Sequence, residues 1–161
     1  MKMELEETYT GEYLGGYESP QSSRQLSDKQ ADYVQKLDGC QSFKDVFSLV
    51  KRSVKESLNL ERTGLILYLQ DLPLKVGAYH PIGTNGIIMN RTLLEGVVQT
   101  AASKREVNSF VYHILLHEYL HSLGQIDEQR VKELTLLVSQ ETFGQDHLAT
   151  RLASEGPWTY M

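Results

Sequence analysis

One run constrains the fold of this chain more than any other: His113 to Glu128, H-I-L-L-H-E-Y-L-H-S-L-G-Q-I-D-E. Together with Val107, Phe110 and Val111 before it, the run keeps an apolar helical period, so it reads as a helix that belongs in the core. His117 and His121 stand four residues apart on it. Both imidazoles therefore fall on one face, about one turn or roughly 6 Å apart. Two neutral ring nitrogens at that spacing can share one metal ion. Glu118 follows the first histidine, where a carboxylate can take a proton from a water that the metal polarises. The rest of the chain has to bury this helix while leaving its histidine face open.

Sequence signals bound the helix. Ser103 followed three residues on by Glu106 reads as a capping box, and Gly124 is placed to end the helix in a left-handed residue. Upstream, residues 1–26 are rich in Glu, Gly, Ser, Gln and Tyr without a sustained period, and are expected to form a flexible N-terminal tail. Residues 27–161 are expected to form a single domain. Ser27 and Gln30 give a capping box for a helix near 28–38, stopped at Gly39. Ser42 to Asp45 caps a second helix carrying Phe43, Val46, Phe47, Val50, Val54 and Leu58 inward.

Gly64 to Gln70 is short and apolar throughout, the pattern of a buried central strand. Val76 to His80 and Gly86 to Asn90 read as two further strands joined by a turn-rich link. Asn90 then caps a helix over about 91–102. Beyond Gly124, Asp127 opens a helix near 127–142, and a last helical piece runs from about 146 to 153. The fold class expected is α+β, a small sheet of three or more strands backed by helices.

A net charge of −5 argues against a nucleic-acid partner. No apolar run approaches the ~20 residues that cross a bilayer, and the first residues, Met-Lys-Met-Glu-Leu-Glu-Glu, lack the apolar stretch of a secretory signal. A cytoplasmic location without a membrane partner is the expectation. The lone Cys40 has no partner for an internal disulfide and is expected to be an inert thiol, the alternative being a ligand in a latent metal site.

His117-Glu-Tyr-Leu-His121 is the H-E-x-x-H signature of zinc peptidases, and the longer His117-Glu-Tyr-Leu-His121-Ser-Leu-Gly124-Gln-Ile-Asp127 resembles the extended motif of metzincins within the zincin metallopeptidases. The resemblance implies a zincin-like fold and a Zn2+ ion bound by His117, His121 and a third ligand, Asp127, with Glu118 as general base and acid. No methionine lies between Asp127 and Met161, so the methionine turn of metzincins is missing. The gluzincin branch takes a glutamate from a following helix instead, which makes Glu128 the alternative and Glu133, Glu141 or His147 weaker ones. Only the first turn of an antiparallel helix stays near the metal, because each residue carries the chain about 1.5 Å farther. Asp127 has the motif spacing and Glu128 the longer reach.

The resemblance implies a peptidase acting on a peptide or protein, with the substrate paired to an edge strand, expected at Gly86 to Asn90. A catalytically silent zinc-binding interaction module is the alternative; retention of Glu118 speaks against it, since a structural zinc site needs no base. Residues 1–39 are also candidates for a self-inhibitory strap. His113 lies about 12 Å along the helix from His121, too far to share the ion, and is expected to support the site. His80, His147 and Tyr160 are candidates for stabilising an oxyanion.

Overall fold

The computed structural model describes residues 25–157. Most of the expected tail, and Tyr160, lie outside the described residues. Nine elements follow in order: α1 (Asp28–Asp38), α2 (Phe43–Leu58), β1 (Ile66–Gln70), β2 (Ala78–Tyr79), β3 (Gly86–Asn90), α3 (Arg91–Thr100), α4 (Lys104–Ser122), α5 (Glu128–Phe143) and α6 (Leu148–Glu155). The architecture is α+β, with six helices and a three-stranded sheet among the described residues. No helix among them is long and apolar enough to cross a membrane.

Local chemistry sets the helix starts. The Ser27 hydroxyl accepts from the Gln30 backbone N–H while the Gln30 side chain accepts from Ser27, so two otherwise unpaired donors are satisfied together. Ser42 caps α2 through Asp45, and the helix ends at Asn59 in the left-handed region with φ 54°. Ser103 accepts from Glu106 as expected, but the returning carboxylate takes its proton donor from Ala102, at 2.8 Å. Asn90 does more than cap α3. Buried at the end of β3, its side chain accepts from Leu93 and Leu72 and donates to the carbonyls of Pro73 and Val76. One carboxamide thus anchors the link between β1 and β2.

The strand order is β1-β3-β2, with β1 parallel and β2 antiparallel to β3. Two expectations are corrected here. The segment from Gly64 to Gln70 is an edge of the sheet, not its centre: within β1, Ile66, Tyr68 and Gln70 face outward and Leu67 and Leu69 inward. Its apolar run conceals an alternation because Ile66 and Tyr68 are exposed despite their character. Conversely β3, expected to offer a free edge to substrate, is paired on both sides and buried at every residue. The free edges among the described residues belong to β1 and β2.

Helix α4 runs through the middle of the molecule and packs against all five other helices and β2. Every residue from Val107 to Leu116 is buried, as expected of a helix with neighbours on all sides. Two of its polar side chains are tied to neighbouring helices: Asn108 donates to the carbonyls of Leu37 and Cys40 at 2.8 and 3.1 Å, and the Tyr112 hydroxyl lies 2.6 Å from that of Ser53. These buried bonds fix the axial position of α4 against α1 and α2.

Candidate metal centre

The C-terminal turn of α4 emerges from this packing toward solvent, and several bonds hold it there. Gly124 adopts φ 95°, a conformation that glycine takes without steric cost, and turns the chain so that Gln125 N–H reaches back to the Leu120 carbonyl at 3.3 Å. Arg62 donates from Nη1 to the Ser122 carbonyl at 2.7 Å and from Nη2 to that of Thr84 at 2.8 Å. Its backbone N–H donates to the Tyr119 hydroxyl at 3.0 Å. The helix end and the β2–β3 loop are thereby fastened to one side chain.

On this turn His121 Nδ1 lies 2.7 Å from the Gln125 carbonyl. A carbonyl only accepts, so Nδ1 carries the hydrogen and the neutral ring presents a lone pair at Nε2. That atom is 3.2 Å from His117 Nε2 and 2.8 Å from one Glu128 carboxylate oxygen; the other oxygen is 3.2 Å from His117 Nε2. The ligand atoms of the three residues lie within 4.8 Å of one another, a group able to hold a metal ion. Lone pairs and a carboxylate converging in this way call for a cation between them, either a proton or a metal. Tetrahedral ligands about 2.0–2.1 Å from a metal lie roughly 3.3 Å apart, close to the nitrogen separation observed. The donor set fits an ion, and a tetrahedral one held by these three residues would have a fourth position for water or substrate.

Asp127 stands elsewhere. Its Oδ1 accepts from the backbone N–H groups of Gln129 and Arg130 at 2.8 and 3.2 Å, making it the N-cap of α5. Glu128, the first residue of α5, is the carboxylate brought to the histidines. Glu133 lies beside Arg130, at 3.5 Å. Glu141 is thirteen residues beyond Glu128, roughly 20 Å along α5. His147 caps α6, its Nδ1 accepting from Ala149 N–H at 3.0 Å while the ring stacks on Phe143. Cys40 is buried beside α1, its thiol on the Lys36 carbonyl, and burial pushes its pKa up to about 11.

No family model, curated protein or solved structure matches the chain. The chemistry of the site therefore has to be judged from its own groups.

Glu118 lines a cavity of about 420 Å³ with His113, Ile114 and His117 from α4, Gly77 and Ala78 at the start of β2, Lys132 and Thr135 from α5, and the end of α6. Burial, then repulsion by Glu128, raises the Glu118 carboxyl to about 8, against the pull of a backbone N–H donated by His80. His80 does not act as the expected imidazole donor: its Nδ1 lies 2.7 Å from the Gly86 carbonyl, and its main chain is the part that meets Glu118. A backbone donor leaves no mark in residue identity, so no sequence signal could have revealed this role. His117 is held below its ordinary value, chiefly by burial, with His121 and Lys132 acting in the same direction and Glu128 opposing. His113 lies one turn deeper, only 8% exposed, its Nδ1 without a hydrogen-bond partner. Burial and then the neighbouring His117 keep it neutral, with a value near 4.

A cavity of similar size, about 440 Å³, lies between α3, α4 and α6 and is lined mainly by Leu74, Leu93, Val97, Phe110, Leu148 and Leu152. It contains none of the grouped ligands.

Proposed function

We propose that this protein is a zinc-dependent peptidase of zincin-like architecture, with His117, His121 and Glu128 as ligands and Glu118 as general base and acid. The observation that carries the reading is the convergence of both Nε2 atoms and the Glu128 carboxylate, with a second, half-buried carboxyl group, that of Glu118, in a cavity that His117 also lines. A zinc ion held there supplies a Lewis acid that polarises a carbonyl and makes water acidic near neutral pH.

The chain's own groups supply the rest. Glu118 accepts a proton from the attacking water and passes it to the leaving amine. The His80 N–H orients that carboxylate, and Gln125 keeps the His121 lone pair turned inward. An extended substrate pairs with the free edge of β2, whose first residue Ala78, with Gly77 before it, lines the same cavity as Glu118. Such pairing orients a peptide with little demand on its sequence.

The test is hydrolysis of a diverse set of internally quenched peptides by the zinc-loaded full chain. Cleavage that stops with a chelator, returns with zinc and is lost in Glu118→Gln supports the reading. Protein that binds one zinc per chain and cleaves none of the peptides overturns it and leaves the zinc-binding module.

A further inference from the structure

The cavity beside Glu118 carries a charge that the proposed reaction does not use. Glu128, Lys132 and Thr135 follow one another at i, i+4 and i+7, so all three face the same way from α5. A glutamate four residues before a lysine ordinarily pairs with it on a helix. Here the Glu128 carboxylate lies on the two histidines instead, and among the described residues no carboxylate forms an ion pair with Lys132. Lys132 lines the cavity, near enough to His117 to act on its charge.

We infer that Lys132 selects substrates that present a carboxylate to this cavity from the residue next to the scissile bond. The inference rests on the peptidase reading and adds a substrate class to it. His117 and Glu118 line the cavity together with His113, one helical turn back along α4, a span of roughly 6 Å. That span suits a single side chain attached beside the reacting carbonyl. Of the other charged groups on its walls, Glu118 works at the reacting end. Glu155 sits at the last residue of α6, with an interaction of its own. His113 is buried and brings no charge to the cavity. The remaining lining from Gly77, Ala78, Ile114 and Leu152 is small or apolar and packs against the methylenes of an acidic side chain. The carboxylate has two possible sources, an acidic side chain or the terminal carboxylate of a short peptide.

Hydroxamates of N-acetyl-Glu, N-acetyl-Gln and N-acetyl-Lys anchor on a bound metal and place these side chains beside it without any turnover. Their affinities for the zinc-loaded full chain, measured by calorimetry, are expected to run Glu over Gln over Lys, with about a five- to ten-fold gap between the first two. In Lys132→Met the Glu and Gln probes should bind within two-fold of each other, and Lys132→Glu should reverse the order; Lys132 is exposed, and circular dichroism checks that both variants fold. Succinic monohydroxamate stands in for a terminal carboxylate: tighter binding than the Glu probe assigns the terminal source, weaker binding the side chain, and either order supports Lys132 as the selector. Equal affinities for the Glu and Gln probes in the parent protein, a gap that survives in Lys132→Met, or failure of every probe to bind overturns the inference. The expected preference in a protein that hydrolyses no peptide overturns the peptidase reading alone.

Discussion

Asp127 and Glu128 are consecutive, yet their carboxylates serve different ends: Asp127 Oδ1 caps α5 at Gln129 and Arg130, while Glu128 lies 2.8 Å from His121 and 3.2 Å from His117. Substitution should separate the two roles. Glu128→Gln is expected to weaken zinc binding by at least about 100-fold, since even indirect supports of a metal ligand are worth 10–100-fold. Asp127→Ala should cost about 1 kcal/mol of stability through the lost cap while zinc affinity changes little. Competition with a chromophoric chelator and urea unfolding measure the two effects. Loss of zinc in Asp127→Ala with retention in Glu128→Gln would return the third position to Asp127.

Glu118 faces the cavity, and its carboxylate is absent from the group of residues around the candidate ion. Glu118→Gln should therefore keep one zinc per chain, read by metal analysis after dialysis, while peptide hydrolysis falls by about 10²–10⁴-fold, the usual worth of general acid–base catalysis. Loss of zinc from this variant would make Glu118 a ligand instead.

His147 gives stability a pH dependence unconnected with the candidate metal. Burial first, with Arg105 and Arg151 in the same direction and Asp38 opposing, lowers its value to about 4 in the folded chain, against 6.5 for the free side chain. Its Nδ1 accepts a hydrogen bond as the neutral ring. The folded state thus binds this proton less readily than the unfolded chain, and the stabilisation is complete above 6.5 and lost as pH falls toward 4. At about 1.36 kcal/mol per pH unit, the span from 6.5 to about 4 sets a ceiling of about 3 kcal/mol. His147→Asn retains a capping group without titrating in this range. Urea unfolding at pH 7.5 and at pH 5, the first above and the second within the titration window, should show a smaller acid loss in the variant. His113 titrates in the same direction in both proteins, so an identical acid loss would dismiss His147.

Arg62 joins the end of α4 to the loop that leads to β3, through the carbonyls of Ser122 and Thr84. Arg62→Ala should lower stability by about 1–3 kcal/mol, the range for bonds made by a charged donor at a partly buried site. The same loop begins just after His80, whose N–H meets Glu118, so kcat on a cleaved peptide should fall several-fold with zinc affinity nearly unchanged. A loss of stability with kcat intact would confine Arg62 to a structural role.

The helices were legible in advance because their signals are local. Ser27, Ser42, Asn90 and Ser103 cap the helices that the period and side-chain chemistry assigned to them, since a cap needs only donors two or three residues away. The strands were legible as segments and misleading as a sheet. Nothing within Leu-Ile-Leu-Tyr-Leu or Gly-Ile-Ile-Met-Asn states which strand has neighbours on both sides, because pairing joins residues twenty apart, such as Ile66 with Gly86. The part played by His80 was hidden for a related reason: it acts through a main-chain N–H that every residue except proline has.

At the candidate site the division follows the same line. Sequence alone determined that His117 and His121 share a face and that Glu118 stands beside them, because the pitch of a helix fixes those relations over a single turn. Only the tertiary structure decided which carboxylate meets them. The turn at Gly124 and the packing of α5 on α4 set the direction of each side chain in the first turn of α5, where one residue's step rotates the chain by about 100°. That rotation turns Asp127 onto its own helix and Glu128 onto the histidines.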